Sequence, residues 1–98
     1  TGGMNLEELE ILRKEIDIID EQLVELFEKR MELAIKIGDI KKQKGMQILD
    51  SQREKAVIKN AIAHLKNKDL SDELEAFLRN LMDSSKKIQQ YRIKKAED

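Results

Sequence analysis

The chain holds five arginines against fourteen lysines, and three of the five sit among polar residues that interrupt or border apolar stripes. A guanidinium offers a planar fork of donors that fits a carboxylate better than an ammonium does. The first of these, Arg30, stands inside an apolar seam. The seam runs Leu9, Leu12, Ile16, Ile19, Leu23, Leu26, then Leu33, Ile37 and Ile40, in steps of three and four that keep one helical stripe facing a partner. That register asks for an apolar residue at position 30. An unpartnered guanidinium there would cost several kcal/mol, so Arg30 needs a carboxylate, a ligand or a water-filled pocket. Taken alone, it serves equally well as a coiled-coil specificity device or as a side chain snorkelling out of the seam.

Other polar residues fall into place around it. Lys41 lies eleven residues, three helical turns, beyond Arg30, which puts both within about 20° of one face. Arg13 lies about 25 Å toward the N-terminus and reaches the same small ligand only from a second, antiparallel chain. Ser85 and Gln89 continue a third apolar stripe at i, i+4, where Leu or Ile would pack better. Asp50, Arg53 and Glu54 cluster at one helix start. Each has a plainer reading by itself: Ser85 and Gln89 as an interhelical hydrogen bond, Lys41 as a solvated lysine, Asp50 and Glu54 as capping residues. Together they look built for a small polyanion carrying carboxylates, held inside a helical dimer.

The remaining inventory narrows the chemistry. There is no cysteine, hence no disulfide, thiol nucleophile or thiolate metal site. His64, the one histidine, has no ligand-spaced companion and reads as a surface residue. No Ser-His-Asp set, phosphate loop or zinc spacing is present. No metal site and no cofactor is expected, and what fits is a reaction accelerated by positioning and electrostatics.

The elements that must position these groups are helices. Charged residues make up 40% of the chain, aromatics 3%, and proline and tryptophan are absent, a composition that reads as all-α. The spacing predicts one very long helix from about Leu6 to about Gln43, ended by Lys44-Gly45. Gly38 lies within it at a cost of up to about 1 kcal/mol relative to alanine. A second helix is capped by Asp50 or Ser51, with Ser51-Gln52-Arg53-Glu54 fitting a capping box. Its face is Val57, Ile58, Ala61, Ile62 and Leu65, fading at Lys66-Asn67-Lys68. Ser71 caps a third helix with Asp72, Glu73 and Glu75 in its first turn. Its stripe is Leu74, Phe77, Leu78, Leu81, Met82 and Ile88, running out near Ile93. Thirty-eight residues give a first helix of about 57 Å, against a diameter near 32 Å for a compact domain of this size. The excess seam calls for another chain, so the expected architecture is three helices per chain in an intertwined homodimer. Thr1-Gly2-Gly3 reads as a tag remnant, leaving residues 4–98 as a single domain. A formal net charge of -1 offers no attraction to nucleic acid or to an anionic membrane. No apolar run approaches the roughly 20 residues of a membrane span, and the expected compartment is the cytoplasm.

The run Leu12-Arg13-Lys14-Glu15-Ile16-Asp17-Ile18-Ile19-Asp20 resembles the all-helical AroQ class of chorismate mutase. So do Leu26 through Ala34, Ile37-Gly38-Asp39-Ile40-Lys41, Asp50-Ser51-Gln52-Arg53-Glu54, and Ser85-Lys86-Lys87-Ile88-Gln89, in order and across nearly all of the chain after residue 5. The resemblance implies an intertwined homodimer with two equivalent sites that converts chorismate to prephenate in phenylalanine and tyrosine biosynthesis. Carried onto this chain, it implies that Arg30 and a partner-chain Arg13 bind the two substrate carboxylates, with Arg53 and Ser85 completing those contacts. Lys41 and Gln89 would donate to the ether oxygen of the breaking bond. Glu54 and the backbone near Asp50 would hold the ring hydroxyl. Met46-Gln47 departs from the proline that members often carry before the acidic turn, which leaves that loop's conformation open. An isochorismate pyruvate-lyase would share the fold and much of the site. A non-catalytic dimerisation or regulatory module would keep the seam but would not need to keep Arg13, Arg30, Lys41, Glu54 and Gln89 together.

Overall fold

The computed structural model describes residues 5–97, all of whose regular structure is helical. Helix α1 spans Leu6–Gln43, α2 spans Ser51–His64, and α3 spans Ser71–Glu97, with a 3-10 turn at Lys68–Leu70 leading into α3. Thr1-Gly2-Gly3 lie outside the described residues. The chain falls into two units, one ending at Glu32 and the other beginning at Leu33.

The first unit is the N-terminal stretch of α1. Asn5 opens it, its side-chain oxygen accepting from the Glu8 amide at 2.9 Å and so satisfying one of the donors a helix start leaves unpaired. Glu7 and Glu8 occupy the first turn, where negative charge meets the positive end of the helix dipole. Leu9, Leu12, Ile16, Ile19, Leu23 and Leu26 are all exposed, from 38% at Leu9 to 61% at Leu26.

The second unit carries the last turns of α1 with α2 and α3. Two stripes separate on this part of α1. The seam residues Leu33, Ile37 and Ile40 are exposed, whereas Ala34 and Gly38 are buried and Lys41 is half-buried. The small side chains at 34 and 38 let α3 approach α1 closely. Helix α1 ends in a Schellman motif: Met46 N–H donates to Lys41 O at 2.8 Å and Gly45 N–H to Lys42 O at 3.2 Å. Gly45 takes φ 66°, a backbone that glycine adopts without a Cβ penalty.

Helix α2 buries Ile58 and half-buries Val57, Ala61, Ile62 and Leu65. Asp50 caps it, accepting from the Arg53 amide at 3.0 Å. The capping box expected with Ser51 as cap does not form. With Asp50 extended in the cap position, Ser51 is the first helical residue and Arg53, not Glu54, is the third. At the other end of α2, Lys68 Nζ donates to the carbonyls of Ile62 and Ala63 at 2.6 and 3.2 Å. The Ile62 carbonyl also accepts from the Leu65 amide at 3.0 Å, so a cation meets the negative end of the helix.

Ser71 also departs from its expected role. Its backbone is already helical, and its hydroxyl donates backward to Lys68 O at 2.7 Å. Asn67 does the capping instead, accepting from Asp69 N–H at 3.1 Å, so the 3-10 turn supplies the entry that a cap at 71 would have given. Helix α3 also runs beyond Ile93 to Glu97. No glycine or proline interrupts it, and Lys94 and Lys95 complement the negative end of its dipole. Along α3, Met82, Ser85 and Gln89 are buried, Leu74, Leu78 and Leu81 are half-buried, and Phe77 is exposed.

Candidate active site

Gln89 is the centre of the polar arrangement in the second unit. It is 7% exposed, and its Nε2 donates to the Ala34 carbonyl at 2.7 Å. That bond fixes which end of the amide is the NH₂, because a carbonyl only accepts. One N–H remains for another acceptor. The position depends on Gly38: a Cβ built there would lie 3.0 Å from Gln89 Cγ and 3.2 Å from its Cβ. The glycine that the sequence made merely tolerable is therefore the residue that makes room for Gln89.

Lys41 lies three residues after Gly38, on the same face of α1. Its Nζ donates to Ile48 O at 3.0 Å, tying the loop that leads to α2 back onto the helix end. An ammonium has three donors, so two remain. The loop that Met46-Gln47 left open is thus closed by the Schellman motif and by this lysine.

On the other side of Gln89, one turn back along α3, Lys86 reaches across to α2. Its Nζ lies 2.9 Å from Glu54 Oε2 and 3.3 Å from Asp83 Oδ1. The Lys86 and Glu54 side chains are each about a quarter exposed, at 25% and 23%. The hydrogen bond that Lys86 donates to Glu54 raises the Lys86 pKa above its ordinary value; burial opposes that and Asp83 adds to it. Lys41, Gly38, Gln89, Lys86 and Glu54 thereby form one connected series, joined alternately by helix spacing and by direct contact.

The other predicted residues have local partners. Ser85 is 8% exposed, and its hydroxyl donates to Leu81 O one turn back at 3.0 Å. Asp50 caps α2, and Arg53 beside it is exposed. In the first unit, Arg13 is exposed and pairs with Glu10 at 3.2 Å, while Arg30 is half-buried. Sequence reasoning passed over Gly38 and Lys86. Both carried a signal, since each lies three residues from a singled-out polar residue on the same helix.

The second unit also has an open groove of about 520 Å³ between the end of α1 and the end of α3. Ile35, Asp39, Ile88, Tyr91 and Arg92 line it, with Asp39 and Arg92 3.7 Å apart. None of the candidate site residues faces it. Among the described residues there is no group of three or more potential metal ligands, and no helix is long and apolar enough to cross a membrane.

The described residues are thus all-helical, with a buried amide at Gln89 and a half-buried ammonium at Lys41. The chain belongs to the chorismate mutase type II family, whose model matches residues 12–90. It is 37% identical over 81 residues to the T-protein of Haemophilus influenzae, covering 82% of this chain and 22% of that protein. It is 40% identical over 57 residues to a bifunctional chorismate mutase/prephenate dehydratase of Aquifex aeolicus, covering 58% of this chain and 16% of the relative. A chorismate mutase of Methanocaldococcus jannaschii is 40% identical over 52 residues, covering 53% of this chain and 52% of that protein. The chain thus spans between about a sixth and a half of the length of these relatives.

Proposed function

We propose that this protein is a chorismate mutase, rearranging chorismate to prephenate on the route to phenylalanine and tyrosine. The observation that carries the reading is Gln89: a buried amide, inside the span 12–90 that the family model matches, held by Ala34 with one N–H left to donate. The reaction is a concerted pericyclic shift with no covalent intermediate and no proton transfer, so it asks for shape and charge rather than a base. The site holds the enolpyruvyl arm over the ring, which removes a conformational and entropic cost. Lys41 and Gln89 stabilise the negative charge that builds on the ether oxygen. Preorganised donors of this kind are worth roughly 3–4 kcal/mol each.

In this reading Arg30 binds one substrate carboxylate, and Arg13 of a second copy binds the other. Arg53 and Ser85 complete those contacts, while Glu54 and the backbone near Asp50 hold the ring hydroxyl. The exposed seam from Leu9 to Ile40 is closed by a homodimer, and the enzyme works in the cytoplasm. Sedimentation should give a dimer at every concentration where the protein is folded; a folded monomer would remove the shared site.

The decisive assay follows chorismate loss by absorbance, with isochorismate run in parallel. Prephenate formed from chorismate supports the reading. Inertness toward chorismate, with pyruvate released from isochorismate, would replace the mutase by the lyase. Inertness toward both would leave a helical dimerisation module.

A further inference from the structure

The contact between Lys86 and Glu54 joins α2 to α3 beside the two buried polar residues of α3. Lys86 follows Ser85 directly and precedes Gln89 by three, so it shares a face with Gln89. Its ammonium takes Oε2 of Glu54 at 2.9 Å and is braced from its own helix by Asp83 at 3.3 Å. Asp83 is exposed at 61%, whereas Glu54 and Lys86 are about three-quarters covered. An exposed pair of this type would do little. Covered from solvent, the same pair fixes a rotamer and sets a local charge.

We propose that Lys86 is a positioning residue for Glu54. It holds one carboxylate oxygen so that Oε1 is the acceptor presented to the substrate hydroxyl, and it balances a negative charge that would otherwise stand beside a substrate dianion. This rests on the reading of Glu54 as the ring-hydroxyl acceptor. Without Lys86, Glu54 is both free to rotate and electrostatically opposed to substrate carboxylates. The loss therefore falls on substrate capture more than on the chemical step, which Lys41 and Gln89 serve.

The test is a double-substitution cycle on the intact protein, with kcat, KM and thermal melting measured for each variant. Lys86→Met should raise KM for chorismate by about tenfold with a smaller fall in kcat, and Lys86→Arg should restore most of the loss. In a Glu54→Gln background, where there is no charge to balance, Lys86→Met should cost less than about twofold. Additive losses, unchanged kinetic constants, or a change confined to melting temperature would overturn the proposal. If Lys86→Met does not fold, Lys86→Gln carries the same comparison. Failure of both uncharged variants to fold would make Lys86 a structural staple and overturn it as well. A wild-type protein inert toward chorismate sinks the mutase reading and this proposal together, whereas an active wild type with an additive cycle sinks this proposal alone.

Discussion

Gln89 and Ala34 stand fifty-five residues apart in the chain, and the side-chain amide of one donates to the backbone carbonyl of the other at 2.7 Å. A helix carbonyl normally accepts from the amide four residues on, so this acceptor is shared between the α1 ladder and a side chain of α3. The bond orients the amide and gives its buried nitrogen a partner, without which that nitrogen would itself cost about 1–3 kcal/mol. It also uses one N–H and spares the other.

Gly38→Ala tests the close approach behind that bond. In an open helix position alanine would add up to about 1 kcal/mol. Here its Cβ would meet Gln89 Cγ at 3.0 Å, and overpacking of this sort costs about 1–3 kcal/mol. The melting temperature should stay level or fall rather than rise. Because Gln89 must shift, kcat/KM should drop by at least about tenfold. A stabilised, fully active Gly38→Ala protein would show that the contact yields without consequence.

Gln89→Glu tests the amide by pH. A carboxylate placed against the Ala34 carbonyl meets a lone pair instead of donating to it, so its pKa should rise above the usual value of about 4.3. With the folded-state pKa above the unfolded one, the substitution destabilises most at neutral pH and less as pH falls through the raised pKa. Activity should be weak at neutral pH and recover in the same direction. The wild-type amide does not titrate, so its kcat/KM should be nearly flat from about pH 6 to 8. Full activity of Gln89→Glu at pH 8 would remove residue 89 from the role assigned to it.

Arg30→Leu tests the seam arginine. Leucine restores the apolar register, so the variant should fold with stability equal to or above wild type. Chorismate turnover should fall by at least about a hundredfold, the scale for losing a charge-assisted contact to substrate or transition state. Unfolding, or full activity, would instead mark Arg30 as structural.

Arg13→Ala and Lys41→Ala together test the shared site. Each should be nearly inactive as a homodimer. Refolded together, they should form heterodimers with one doubly defective pocket and one intact pocket, and activity should return to about a quarter of wild type if exchange is statistical. Proven subunit exchange without recovery would place Arg13 in its own chain's pocket or in none.

The helices and most of their ends were legible in the residues alone. Three-and-four spacing marks α1, α2 and α3, and Lys44-Gly45 marks the stop of α1, because both signals act within one or two turns of chain. Local chemistry was less decisive where two neighbours competed. Asp50 and Ser51 both suit an N-cap, and only the backbone around them chose Asp50, which freed Glu54 from a capping box to meet Lys86. Ser71 likewise yielded its expected place to Asn67 once the 3-10 turn formed.

The polar residues at 85 and 89 were conspicuous in an apolar stripe, and both are buried. What each one touches was not legible. The α1 seam is the more apolar stripe of that helix, yet Leu33, Ile37 and Ile40 are exposed while Ala34 and Gly38 receive α3. Periodicity tells which residues share a face, but it carries no information on how close a distant helix comes or at what register. Those depend on side-chain volume at the contact, so a missing Cβ at Gly38 and the reach of Lys86 to Glu54 were decided only when α1, α2 and α3 packed.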